Sequence, residues 1–276
     1  MNIAVIGLGL IGGSFAKALK HYTTYKILGF DTNEQTMQKS LDEKAIDGIA
    51  GDGSIGECDM VIIALYPKAT TDFIIANAPK LKQGCIIVDT CGVKRAVVER
   101  AADVCARCGL IFIGGHPMAG REFWGFDYSL HTLFKGASMI LTPSQNTPEQ
   151  AIRTVAELFY HIGFGKVVNT SAENHDRMIA YTSQLAHVVS SAYIKSPAAL
   201  EHTGYSAGSY KDLTRVAKLN ENMWTELFLD NGDYLVQEID LIIDNLKAYS
   251  EAIKSKDEKL LRSLLKEGRE IKERIS

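Results

Sequence analysis

The sequence predicts an α/β domain built on a parallel sheet, followed by an all-α domain. Two observations carry this. Up to about residue 168, short continuous apolar runs alternate with helical stretches of 10–15 residues. That is the pattern of βαβ units whose sheet is covered on both faces. Glycine then nearly disappears. Residues 1–168 hold 19 of the 23 Gly and all five Cys, whereas the remaining 108 residues hold four Gly and no Cys. The boundary is drawn there, giving domains 1–168 and 169–276.

The elements follow in order. Asn2–Ile6 reads as a strand, Gly7–Gly13 as a turn, and Gly12–Leu19 as the start of a helix. Lys26–Phe30 is a second strand and Asn33–Glu43 a polar helix. Met60–Leu65 is a buried strand that Pro67 stops. A helix then runs to about Leu81. Cys85–Val88 and Leu110–Ile113 are strands flanking a helix over Val93–Arg107. Ala137–Leu141 and Lys166–Val168 flank a helix over Pro148–Ile162. Thr170-x-x-Glu173 has the form of a capping box, which satisfies free amides at a helix start. A long helix is expected from there to about Lys195, and others over Asn222–Leu229, Asp233–Ile253 and Lys256–Ile275. In the Asp233–Ile253 helix, Leu235, Ile239, Ile242, Leu246, Tyr249 and Ile253 make one apolar stripe. So short a helical domain has little of its own to cover such faces, so a homodimer is expected to complete it.

The first turn carries the clearest chemistry. Gly7-Leu8-Gly9-Leu10-Ile11-Gly12 is G-x-G-x-x-G, placed between a strand and a helix. Gly7 permits the tight turn, Gly9 lets backbone approach a pyrophosphate, and Gly12 lets helix and strand pack closely. The helix N-terminus offers unpaired amides to the anion. Nineteen residues after Gly12, Asp31 closes the second strand, where a carboxylate reaches adenosine ribose hydroxyls. A carboxylate repels a 2′-phosphate, and Thr32, Asn33 and Glu34 supply no cation for one. NAD is therefore expected rather than NADP.

Composition excludes other classes. The 30 Lys+Arg against 33 Asp+Glu leave a net charge of −3, so no basic field draws nucleic acid or anionic lipid. No apolar run approaches the ~20 residues that span a bilayer. Ala4–Ala16 is apolar enough for a signal peptide but lacks a basic start, so cytoplasmic residence is expected. Cys105-x-x-Cys108 has no second pair at metal-binding spacing, and no metal site is expected.

A dehydrogenase needs a base for its substrate's hydroxyl proton, and His is the usual choice. Of seven His, His116 follows a strand through Gly114-Gly115, at the sheet edge where open α/β proteins place their chemistry. Here a family resemblance becomes specific. GLGLIGGS at 7–14, DTCGVK at 89–94, HPMAGRE at 116–122, HDRMIAYTSQLAH at 175–187 and DLTRVA at 212–217 resemble prephenate dehydrogenase, in the same order.

The resemblance implies a Rossmann domain with an all-α dimerisation domain, acting by NAD-dependent oxidative decarboxylation of prephenate. It implies that His116 takes the ring hydroxyl proton and that His187 and Arg215 bind substrate carboxylate. Glu122 would stand at the entrance, and Asp212 would hold Arg215 or the local fold. Trp224 would cover the site from its own or the neighbouring subunit. His175 and Asp176 would form a supporting pair near the cofactor.

The chain departs from the pattern in three places. Cys91-Gly92 stands where many members have Gly-Ser, so a serine hydroxyl that assists the catalytic His is missing. Arg121 replaces a small residue, and Gln184 replaces a second His. Three alternatives stay open: arogenate dehydrogenase on the same scaffold, a β-hydroxyacid dehydrogenase, and a non-catalytic NAD-binding regulator.

Overall fold

The computed structural model describes residues 1–51 and 53–275. Its sheet is formed by β1 (Asn2–Ile6), β2 (Lys26–Phe30), β3 (Gly48–Ile49), β4 (Met60–Ile63), β5 (Ile86–Asp89), β6 (Ile111–Pro117), β7 (Ser138–Pro143) and β8 (Lys166–Asn169). Strand order is β3-β2-β1-β4-β5-β6-β7-β8, so the winding reverses between β1 and β4. The helices α1 (Leu10–Tyr22), α2 (Glu34–Asp42), α3 (Pro67–Asn77), α4 (Arg95–Arg107) and α5 (Glu149–His161) make the connections. Alternate strand residues feed two cores. Ile3 and Val5 pack with Phe15, Phe134, Phe159 and Phe164 on one face. Ala4 and Ile6 pack with Val97, Ala101 and four of the cysteines on the other. All five thiols are free.

The expected all-parallel sheet is corrected at one pair. β7 runs antiparallel to β6, with His116 opposite Ile140. A parallel return needs a crossover of a dozen or more residues, usually a helix. The segment between these strands carries only a single short turn of helix at Phe126–Tyr128, so the chain comes back alongside β6.

Beyond the sheet come α6 (Ala172–Ile179), α7 (Leu185–Tyr193), α8 (Gly208–Thr214), α9 (Glu221–Asp230), α10 (Gly232–Lys254) and α11 (Glu258–Arg274). The cap of α6 is Ser171, whose hydroxyl accepts the Asn174 amide at 3.1 Å, rather than Thr170. Thr170 instead accepts the Asn174 side-chain amide. Residues 180–184 make a wider π turn joining α6 to α7. The short β3 and α8 carry too little periodicity to be seen in sequence. α10 and α11 pack together, yet Leu241, Leu246, Ile253 and Leu265 stay more than half exposed. Among the described residues, no helix is long and apolar enough to cross a membrane.

Candidate active site

The carboxyl ends of β1, β4, β5 and β6 form one continuous rim. At the β1 end, Gly7 has φ +84, a conformation glycine adopts without a side-chain clash. A Cβ on Gly12 would lie 1.7 Å from the Gly7 carbonyl oxygen, so strand and helix meet backbone to backbone. A Cβ on Gly9 would meet nothing within 4 Å, which leaves open space above the loop. Gly9 precedes α1 and offers no side-chain cap, and the first turn holds no acid, so the leading amides are free for an anion. Asp31 accepts the Leu8 amide at 2.8 Å and the Asn33 amide at 2.9 Å. A carboxylate has about four lone-pair directions, so acceptor capacity remains for ribose hydroxyls. The residues present therefore fit a dinucleotide.

The β5 end is a buried charged knot. Lys94 and Asp89 are both fully buried and paired through Nζ and Oδ2. Lys94 Nζ also donates to the Gly115 carbonyl at 2.5 Å, and Asp89 accepts the amides of Cys91 and Gly115. This knot fixes Gly115, and so the backbone that carries His116. The Cys91 sulfur turns away to Thr70 Oγ1 and the Leu65 carbonyl, and burial pushes its thiol pKa up. It is a packing group with no contact to His116.

At the β6 end, His116 Nδ1 lies 2.9 Å from His175 Nε2. His175 Nδ1 lies 2.7 Å from Asp176 Oδ1. Asp176 also accepts the Lys94 and Arg95 amides at the start of α4, at 2.8 and 2.9 Å. Burial lowers His116 well below the usual histidine value, and His175 and the Lys94 cation lower it further. His116 is thus a free base at neutral pH.

The helical part closes over this rim. Glu226 on α9 accepts the Lys68 amide at 2.5 Å, and Leu227 lies against Gly92. Arg95 donates to Asp233 and Asn231, and Asn231 donates to Gln184 at 2.7 Å. Gln184, which also donates to the Leu227 carbonyl, is therefore a brace between the π turn and α9–α10. Arg215 pairs with Glu122 at 3.0 Å, across from the loop that follows His116. His187 Nδ1 donates to the Val216 carbonyl at 3.2 Å, and its ring lies 3.9 Å from that of Trp224. Burial lowers the His187 pKa, and Arg215 lowers it further against the pull of that carbonyl.

With this geometry in place, two domains of one family match the chain. The nucleotide-binding domain of prephenate dehydrogenase matches residues 15–169, and its dimerization domain matches residues 171–267. The chain belongs to the prephenate dehydrogenase family. A cyclohexadienyl dehydrogenase of Zymomonas mobilis is 35% identical, over 97% of this chain and 93% of its own. A prephenate dehydrogenase of Bacillus subtilis is 30% identical, over 91% and 70%. A crystal structure of prephenate dehydrogenase from A. aeolicus, in complex with hydroxyphenyl propionate and NAD+, superposes with a TM-score of 0.88. It covers 100% of this chain and 98% of that one, at 28% identity.

Within this family frame, the residues singled out in the sequence fall into two groups. Gly7, Leu8, Gly9, Leu10, Ile11, Gly12 and Asp31 meet in one loop at the winding reversal. His116 follows on the rim, the Glu122–Arg215 pair links the loop after β6 to the end of α8, and His187 and Trp224 pack together within the helical part. Trp224 packs against His187 of its own chain, the two rings tilted by 45°. Asp212 does not join them. It is exposed on α8, and Arg215 takes Glu122 rather than its neighbour three residues back. Arg215 follows directly on α8, and its guanidinium is exposed. Sequence reasoning assigned no role to Lys94, Asp89, Arg95 or Asn231. A lysine and an aspartate five apart, between an apolar strand and a helix, were the available signal.

Proposed function

We propose that the protein is a NAD-dependent prephenate dehydrogenase, converting prephenate to 4-hydroxyphenylpyruvate, CO2 and NADH. The observation that carries this is His116, a neutral base at the end of β6, on the same rim as the dinucleotide loop. His116 takes the proton of the substrate ring hydroxyl. Bound NAD supplies the acceptor for the hydride that leaves the same carbon. Loss of the ring carboxylate as CO2 provides the electron pair that completes the aromatic ring. Arg215 anchors substrate carboxylate through its planar fork, and Trp224 with His187 walls the site. A second copy of the chain covers the exposed aliphatic faces of α10 and α11.

Arogenate is a second reading, favoured by two contacts. Glu122 stands beside Arg215, so the pair offers an anion as well as a cation to an amino-acid end. His187, neutral and donating through Nδ1 to Val216, presents an acceptor at Nε2, which suits an ammonium. It pairs with a carboxylate only when protonated. The test is to follow NADH formation with prephenate and with arogenate in parallel. Turnover of prephenate supports the first reading, turnover of arogenate alone replaces it, and NAD binding with neither turned over supports a regulator.

Two further outcomes are expected. Losing a hydrogen bond to a charged group costs about 1.5–3 kcal/mol, so KM for NADP should exceed that for NAD by roughly tenfold or more. Steady-state kinetics with both cofactors checks this, and Asp31→Ala should narrow the ratio. Arg215→Ala should raise KM for the acid substrate by roughly ten- to a hundredfold. Because the lost contact is made in ground and transition states alike, kcat should change much less. An unchanged KM removes Arg215 from the binding site.

A further inference from the structure

The stretch beside the β5 end offers His116 no hydroxyl at Cys91 or Gly92, and the Cys91 sulfur faces Thr70. A different partner meets the imidazole. His116 Nδ1 lies 2.9 Å from His175 Nε2, and His175 Nδ1 lies 2.7 Å from Asp176 Oδ1. His175 and Asp176 are 1% and 0% exposed, so they lie beneath His116, out of reach of substrate.

The proton positions along this chain follow from its far end. An ionised carboxylate only accepts. Burial alone would push Asp176 up, but the hydrogen bonds from His175 and from the Arg95 and Lys94 amides carry it below the ordinary aspartate value. His175 Nδ1 must therefore hold its proton. Burial lowers the His175 pKa, as does the Lys94 cation, against the raising effect of Asp176 and Asp89. In neutral His175, Nε2 is then bare and can only accept. His116 must donate to it from Nδ1, which leaves the lone pair on Nε2, the ring nitrogen away from His175.

The carboxylate that starts this sequence is held independently of it. Asp176 sits at the start of α4, accepting two of its leading amides and the Arg95 side chain at 3.3 Å. Arg95 is fastened in turn to Asp233 and Asn231, at the start of α10, and stacks on Tyr234. The orientation is thus built from both halves of the molecule.

We propose that His175, held by Asp176, is a positioning residue that fixes the His116 imidazole with its proton on Nδ1 and its lone pair on Nε2. This rests on the reading of His116 as the base. When His116 accepts the substrate proton at Nε2, the contact to His175 becomes charge-assisted and Asp176 balances the imidazolium. The proton stays on His116 until solvent takes it, and none passes to Asp176.

The experiment combines ring-nitrogen NMR of 15N-histidine-labelled protein with pH profiles for wild type, His175→Phe and His175→Gln. In wild type, His116 is expected as the Nδ1–H tautomer. In His175→Phe, the tautomer should become mixed, and kcat should fall by roughly 10–100-fold, the loss seen when the hydrogen-bond partner orienting a metal-bound imidazole is removed. KM should stay within about threefold, because a ground-state contact is not removed. His175→Gln, whose side-chain carbonyl can accept the Nδ1 proton, should recover much of the loss. The acid limb of kcat/KM should move upward in His175→Phe, toward the ordinary histidine value, since His175 is one of the groups that lower the His116 pKa. A purely structural role would lower the melting temperature and leave tautomer and limb in place. An Nε2–H tautomer in wild type, or an unchanged kcat in His175→Phe, overturns the proposal. If wild type turns over neither acid, the functional reading falls, while the tautomer measurement still decides the contact and needs no folded variant.

Discussion

His116→Asn should lower kcat by roughly 10²–10⁴-fold, the usual worth of a general base, with NAD binding retained. Asparagine keeps a polar group of similar reach at the end of β6 but cannot take up a proton. The cofactor loop lies at β1, with β4 and β5 intervening in the sheet, so its geometry should not change. The pH dependence sharpens the expectation. The folded-state pKa of His116 is held below 6.5, first by burial, then by His175 and Lys94. Wild-type kcat/KM should therefore rise with pH through a limb below the ordinary histidine value and be flat at neutral pH. The variant should lose that limb, because the group that titrates is gone. Rapid-mixing measurement of NADH formation, with NAD affinity measured separately, distinguishes this from a cofactor defect. A near-normal rate would remove His116 from the chemistry.

The two parts of the site differ in how far the sequence reveals them, and the reason is physical. The dinucleotide loop is legible because backbone approach, a tight turn and an open helix end each demand glycine at a fixed spacing. Asp31 is legible for the same reason, since the distance across one βαβ unit is set by the fold. His116 could be placed because a strand leads to it. The contacts that tune it could not. His175 approaches from a helix 59 residues on, and Asp176 reaches back 82 residues to the Lys94 amide. Neither pairing has a local period. Arg215 shows the opposite error. Its neighbour Asp212, three residues away, suggests a helical pair, yet α8 ends at Thr214 and the guanidinium turns to Glu122. The antiparallel β7 was hidden likewise, because its direction depends on a loop that forms no crossover helix.

Lys94→Met should be the most destabilising change near the site, by about 3–5 kcal/mol, because it strands a buried carboxylate. Methionine fills much of the lysine stem's volume, so little of that loss is a cavity. The cost lies in Asp89, which is fully buried and would keep only the Cys91 and Gly115 amides. The Gly115 carbonyl would lose its donor as well. For a chain of this size each kcal/mol moves the melting temperature by about 2–4 °C, so a fall of roughly 10 °C is expected by thermal denaturation. Adding Asp89→Asn to Lys94→Met removes the stranded charge and should restore part of the stability, which a volume defect would not allow. The same substitution should also act on catalysis. Lys94 is one of the cations that hold the His116 pKa down. Without it, the acid limb of kcat/KM should move upward, toward the ordinary histidine value. A wild-type melting temperature together with an unmoved limb would show that the pair neither supports the rim nor tunes the base. A shifted limb in a protein of normal stability would assign Lys94 to the base alone.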